Sequence, residues 1–104
     1  LYSSAASDVY KRQVAGGQTF VKAAPVSLVL VSDVSLFGDA QKPQNQVVGA
    51  MDVGIVSQNI SLFCANAKLA TVPRGSMDAT QLKKVLKLKD SQIPMLNHPV
   101  GYFK

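Results

Sequence analysis

The chain reads as an α+β domain, and three features predict it. The run Val26-Ser27-Leu28-Val29-Leu30-Val31, bounded by Pro25 and by Ser32-Asp33, is β-branched and apolar, the pattern of a buried strand. From about residue 47 to residue 69, Val53, Val56, Ile60, Phe63 and Ala67 recur at helical spacing. Extended segments then return at 70–72 and 93–103 around a second, shorter helical pattern, so the order is strand, loop, long helix, strand, helix, strand.

Taken in order, the first thirteen residues stand apart. Asp8-Val9-Tyr10-Lys11-Arg12-Gln13 is what GAT GTG TAT AAG AGA CAG encodes, which looks like the transposase end sequence used in preparing DNA libraries. Residues 1–13 are therefore expected to be adapter read-through, not native and outside the fold, with 14–104 the genuine part of a longer natural protein whose N-terminal half is missing. After the first strand, 32–46 carries Gly38, Pro43, Asn45 and three Gln, and reads as a loop. In the long helix Met51, Ile55, Leu62 and Ala65 fill much of the circumference left by the periodic residues. A helix apolar on nearly every side is expected to be buried in a large body or an interface, more cover than this chain supplies. Residues 70–72 form a short strand that ends at Pro73-Arg74-Gly75, a turn in which glycine permits backbone dihedrals other residues resist. Asp78 followed by Gln81 resembles a capping box, and Leu82, Val85 and Leu86 give the helix it opens an apolar face. Residues 93–103 close the chain as an extended segment with Pro94 and Pro99 at its limits.

Composition narrows the function classes. The 104 residues suffice for a single domain, and 47% are hydrophobic. Eleven Lys and Arg stand against six acidic residues, all Asp, for a formal charge of +5, or +4 without 1–13. That balance favours anionic ligands without identifying one. Lys83, Lys84, Lys87 and Lys89 are read as a solvated helix face rather than a phosphate or nucleic-acid patch. No apolar run approaches the roughly 18 residues of a membrane span. One His and one Cys cannot build a metal site, and there is no P-loop or dinucleotide fingerprint. Cys64, inside the apolar helix, is read as a buried structural thiol, and His98 as a loop or strand-edge residue rather than a base.

The ordered motifs carry a resemblance. Lys22-Ala23-Ala24-Pro25 leading into 26–31, the pattern Asp52-x-Gly54-x-x-x-Gln58-Asn59, the turn Val72-Pro73-Arg74-Gly75 and the close Pro99-Val100-Gly101-Tyr102 together resemble the C-terminal half of a nitroreductase-family domain. Within that family the pattern is closest to the bacterial branch related to the dehydrogenases of thiazole and oxazole maturation. The resemblance implies a nitroreductase-like α+β fold with a mixed or antiparallel sheet and a long, buried central helix. It implies an FMN-dependent oxidoreductase that takes hydride from NAD(P)H and passes electrons to a small-molecule acceptor, working as a homodimer. FMN itself would carry the hydride, so no catalytic side chain is assigned. By the same resemblance Pro73, Arg74 and Gly75 border the flavin, with the backbone amides of Arg74 and Gly75 near N5 and O4, and Lys104 is the one C-terminal candidate for the FMN phosphate. Asp52, Gln58 and Asn59 are expected to make hydrogen bonds within the helix. A small basic nucleic-acid-binding module and an inactive flavin-binding relative are the alternatives.

Overall fold

The computed structural model describes residues 2–5, by their backbone, and 24–103. Strand β1 is Tyr2–Ala5, β2 is Val26–Asp33, and a 3-10 turn follows at Val34–Phe37. Helix α1 is Pro43–Asn66, β3 is Leu69–Thr71, α2 is Ala79–Val85 and β4 is Gln92–Tyr102. The strands lie in the order β1-β2-β4-β3, and every pairing is antiparallel. The four residues of β1 pair with 28–31 of β2 and fall inside the segment assigned to an adapter, which makes its deletion informative.

The alternation of a two-faced sheet explains the layers. Val29 and Val31 point to one side and meet Leu82 of α2 in a cluster that excludes water, with Met77, Leu86 and Leu88 around it. Helix α2 starts as expected: Asp78 accepts a hydrogen bond from the Gln81 amide at 3.1 Å, satisfying one of the orphan donors of its first turn. Lys84, Lys87 and Lys89 are exposed, and Lys83 donates from Nζ to the Asp90 carbonyl at 3.1 Å. The other side of the sheet carries α1.

Helix α1 begins earlier than the composition of 32–46 suggests. Pro43 opens it, at the one helical position where a missing N–H costs nothing and a fixed φ helps. The polar residues read as loop formers fasten this start instead: Asn45 Nδ2 donates to the Asp39 carbonyl at 2.8 Å and Gln46 Nε2 to the Ala40 carbonyl at 3.1 Å. Lys68, at φ 59°, turns the chain out of the helix in the left-handed region.

The expected burial of α1 holds along one stripe. Gly49, Val53, Ser57 and Cys64, at helical spacing, are buried on the sheet. Met51, Ile55 and Leu62 on the opposite side are 58, 64 and 59% exposed. Asp52, Gln58 and Asn59 are exposed too, and make no side-chain hydrogen bond among the described residues. Their expected intrahelical partners are absent because water is there to serve them. The membrane expectation also needs correcting: an 18-residue window of this 24-residue helix has a mean hydropathy of 1.4, enough by length and composition alone for a span. A continuous apolar run is not required, since Gln58, Asn59 and Asp52 are spread among Val, Ile and Leu.

Strand β4 corrects the reading of its prolines. Both lie inside a central strand rather than at its limits. Pro94 sits where the β2–β4 register shifts and Met95 forms the extra residue of a bulge, a place where a missing N–H is tolerated. Pro99 faces a gap in the β3 ladder, described next.

Candidate functional site

The segment after β3 gathers three of the four expected site residues. Beyond the Leu69–Thr71 pairing, Val72 and Pro73 leave the ladder, and Arg74 then pairs with Asn97 in the same register. The break has a local cause. In an antiparallel ladder alternate pairs exchange N–H···O bonds, and Arg74 and Asn97 do so, at 2.9 and 2.8 Å. The next such pair along the strands is Val72 with Pro99, which has no N–H to give. The Thr71 hydroxyl takes the Pro99 carbonyl in its place, at 2.9 Å.

Residues 72–76 are therefore presented outward but tied at their base. Asn97 Nδ2 adds longer bonds to the Arg74 carbonyl at 3.3 Å and the Ser76 carbonyl at 3.4 Å. Pro73 and Gly75 are exposed and Arg74 half-buried. The Arg74 amide is committed to Asn97, so of the two amides expected at a flavin edge only that of Gly75 is without a partner among the described residues. Gly75 has no positive φ, and a Cβ built on it would meet nothing within 4 Å. The expected conformational need for glycine is not what the turn shows; what it shows is open space directly over Gly75. Lys104 lies outside the described residues. Tyr102, two positions before it, pairs with Leu69, so it sits five residues, roughly 17 Å, along β4 from the Asn97 bridge.

Beneath the turn lies a polar cluster that the sequence reading missed. His98 is fully buried in β4, not at an edge. Its Nε2 lies 2.7 Å from Ser57 Oγ on α1, and its Nδ1 lies 3.0 Å from Thr71 Oγ1 on β3. Burial pushes its pKa below the usual 6.5. The available signal was period two: Leu96, His98 and Val100 alternate with Asn97 and Pro99, which puts the imidazole on the α1 side of the sheet. Cys64 is buried as expected. It borders an apolar cavity of about 370 Å³ between α1 and the sheet, lined also by Leu28, Ile60, Phe63, Leu69 and Val100.

An antiparallel sheet with a long helix on one face, and a glycine turn held open at the sheet's edge, define the α+β class of this domain. The nitroreductase family model matches residues 3–102, and the chain belongs to the nitroreductase family. The "Putative nitroreductase MJ1384" of Methanocaldococcus jannaschii is 29% identical over 84 residues, which are 81% of this chain and 41% of that protein. Among solved structures, NfrA2 of B. megaterium superposes with a TM-score of 0.86 at 22% identity, over 97% of this chain and 48% of that one. Nitroreductase A from Vibrio parahaemolyticus gives 0.83 at 26% identity, over 99% and 49%. The NADPH:FMN oxidoreductase from Vibrio harveyi, solved with NAD+, gives 0.83 at 26% identity, over 97% and 49%. The chain spans about half the length of the relatives it matches.

Proposed function

We propose that this chain is the C-terminal half of an FMN-dependent oxidoreductase that accepts hydride from NAD(P)H and delivers electrons to a small-molecule acceptor. Family membership and the likeness to an NADPH:FMN oxidoreductase support the class. The observation that carries the site is the turn at 72–76, where Gly75 offers an unengaged amide under open space. Bound there, FMN would supply the hydride chemistry. The chain's own part is positional: Pro73 and Gly75 shape the rim, the Gly75 amide donates to developing negative charge, and Arg74 adds positive charge. Lys104 is the proposed phosphate contact. Placement in the branch related to thiazole and oxazole maturation is part of the same proposal and comes from the overall resemblance of the chain. A second copy of the chain is the proposed cover for the outer face of α1, giving a homodimer with Met51, Ile55 and Leu62 in its interface.

Fluorescence titration with FMN tests this on the 104-residue chain and on a protein completed to the length of its relatives. The short chain is expected to bind poorly and the completed protein stoichiometrically. In the latter, Gly75→Val is expected to weaken FMN binding at least about tenfold, or ~1.4 kcal/mol. Because the free turn is unstrained there, that loss belongs to the ligand contact and leaves Tm unchanged. Lys84→Ala, on the exposed side of α2, is expected to leave FMN affinity as it is. Equal affinities for the Gly75 variant and the parent would remove this turn from the site. Oligonucleotide binding that weakens steeply with salt would instead favour the basic-module reading.

A further inference from the structure

The Ser57–His98–Thr71 cluster joins three elements through side chains alone, and one placement of its protons satisfies every hydrogen bond in it. Thr71 Oγ1 has one hydrogen and stands 2.9 Å from the Pro99 carbonyl, which can only accept. In that placement the hydrogen goes to Pro99. His98 Nδ1, 3.0 Å from the same hydroxyl, must then carry a proton and donate it to a Thr71 lone pair. A neutral imidazole protonated at Nδ1 has its lone pair at Nε2, and Ser57 Oγ, 2.7 Å away, donates to it. The chain of donors runs from Ser57 on α1 to His98 on β4, to Thr71 at the end of β3, to Pro99 back on β4.

We propose that His98 is a positioning residue that sets turn 72–76 against helix α1, and that it does so as the neutral tautomer protonated at Nδ1. The relay replaces what the ladder loses at Pro99: with no backbone bonds at that step, Thr71 is fixed by its side chain, and Thr71 is the last strand residue before the turn. Asn97, next in β4, holds the far side of the break through Arg74 and Ser76. The turn is thus registered to the helix rather than to the sheet alone. Ser61 Oγ donates to the Ser57 carbonyl at 3.1 Å, one turn further along α1. Its relevance to flavin binding rests on the proposed function of the turn; the relay itself does not.

Protonating Nε2 makes the Ser57 hydroxyl turn round to accept and places a charge in a buried site where no carboxylate among the described residues meets the ring. The ionisable groups on the surrounding elements are few. Cys64 lies two turns along α1 from Ser57, and Asp52 is on that helix's exposed side. Asp33, at the far end of β2, has its carboxylate on Ser35. Arg74 follows in the turn, and Tyr102 is exposed at the end of β4. None of them hydrogen-bonds to the imidazole.

The experiment is nuclear magnetic resonance on the 104-residue chain labelled with 15N. Long-range 15N–1H correlations of the imidazole are expected to show a proton on Nδ1 and none on Nε2 at neutral pH; the opposite tautomer overturns the assignment. Amide exchange then reads the turn. Thr71→Val, which keeps shape and loses the hydroxyl, is expected to speed exchange at Arg74 and Asn97 several-fold, up to about tenfold, as one lost hydrogen bond would. Thr71→Ser is expected to restore the slow rates, and the Leu82 amide in α2, bonded to the Asp78 carbonyl at 3.0 Å, to serve as an unmoved reference. Equal exchange in the Val and Ser variants, or acceleration at Leu82 equal to that at Arg74, overturns the positioning role. FMN titration of Gly75→Val in the completed protein is scored separately, so loss of the flavin reading leaves the relay standing, and loss of the relay leaves the flavin reading standing.

Discussion

The two long faces of α1 are both apolar, yet they differ in what they require. The inner face is built for close approach. A Cβ on Gly49 would stand 2.7 Å from Ser32 Oγ and 2.9 Å from Val34 Cγ1, so the helix backbone lies directly against side chains of β2 and the 3-10 turn. Val53, Ser57 and Cys64 continue the contact, and a polar relay is tolerated among them because each of its hydrogen bonds is satisfied. The outer face has bulk without a mate: Met51, Ile55 and Leu62 repeat at helical spacing and stand mostly in water. One face specifies a fold; the other specifies a need for further cover. A single apolar pattern in the sequence therefore encodes two separate events, and substitutions tell them apart.

The largest effect is expected from overfilling the inner face. Gly49→Val forces side-chain atoms into Ser32 and Val34 and is expected to destabilise the chain by about 1–3 kcal/mol or more. Urea denaturation read by circular dichroism gives the number. A change below the error of that measurement would mean the helix does not sit on the sheet at this distance.

Acid is the next probe, because His98 lies on the inner face. His98 is held neutral by burial, so its folded pKa lies below the unfolded value near 6.5. The unfolded chain then binds the extra proton first, and stability is full above pH 6.5 and falls as pH drops toward the folded pKa. His98→Gln should flatten this segment of the pH–stability curve. Asp33 gives a separate, lower window: hydrogen bonds from Ser35 hold its carboxyl below 3.8, so its contribution is present above that pH and lost beneath it. A curve that stays sloped just below pH 6.5 in the His98 variant would assign the slope elsewhere.

How much of this was legible beforehand follows from which forces act locally. The strand at Val26–Asp33, the Asp78 cap and the buried thiol of Cys64 depend on short-range pattern and were readable. So was the family, from the order of motifs along the chain. The start of α1 was missed because Gln and Asn look like loop residues until their amides are seen fastening the first turn. His98 was missed because its partners, Ser57 and Thr71, lie 41 and 27 residues away, and a lone histidine carries no spacing signal. Gly75 was readable as a turn but not as an unstrained one, since φ is set by the Asn97 bridge beneath it rather than by residue type.

A smaller effect is expected at the edge of the sheet. Deleting residues 1–13 removes β1 from β2, and we propose that Tm stays unchanged to within the equivalent of about 0.5 kcal/mol, as for a short terminal strand. The family match already starts at residue 3, so this deletion is a sharp test. A drop of several degrees in a thermal melt would place Tyr2–Ala5 in the native fold.

The smallest effect on folding, and the one that separates the two faces most cleanly, is expected from the outer side of α1. Ile55→Lys exchanges a side chain that is 64% exposed for one that prefers water, so the isolated chain loses little buried area. Its stability should shift by no more than about 0.5 kcal/mol, the usual range for a surface site. In the completed protein the same lysine would stand in an interface, where an unpaired charge is costly to desolvate. Sedimentation of the completed protein should then show a dimer for the parent and a monomer for the Ile55 variant, with both unfolding at the same urea concentration when compared as monomers. If Ile55→Lys instead unfolds the short chain as Gly49→Val does, the outer face packs within this chain, and the division between folding face and assembly face fails.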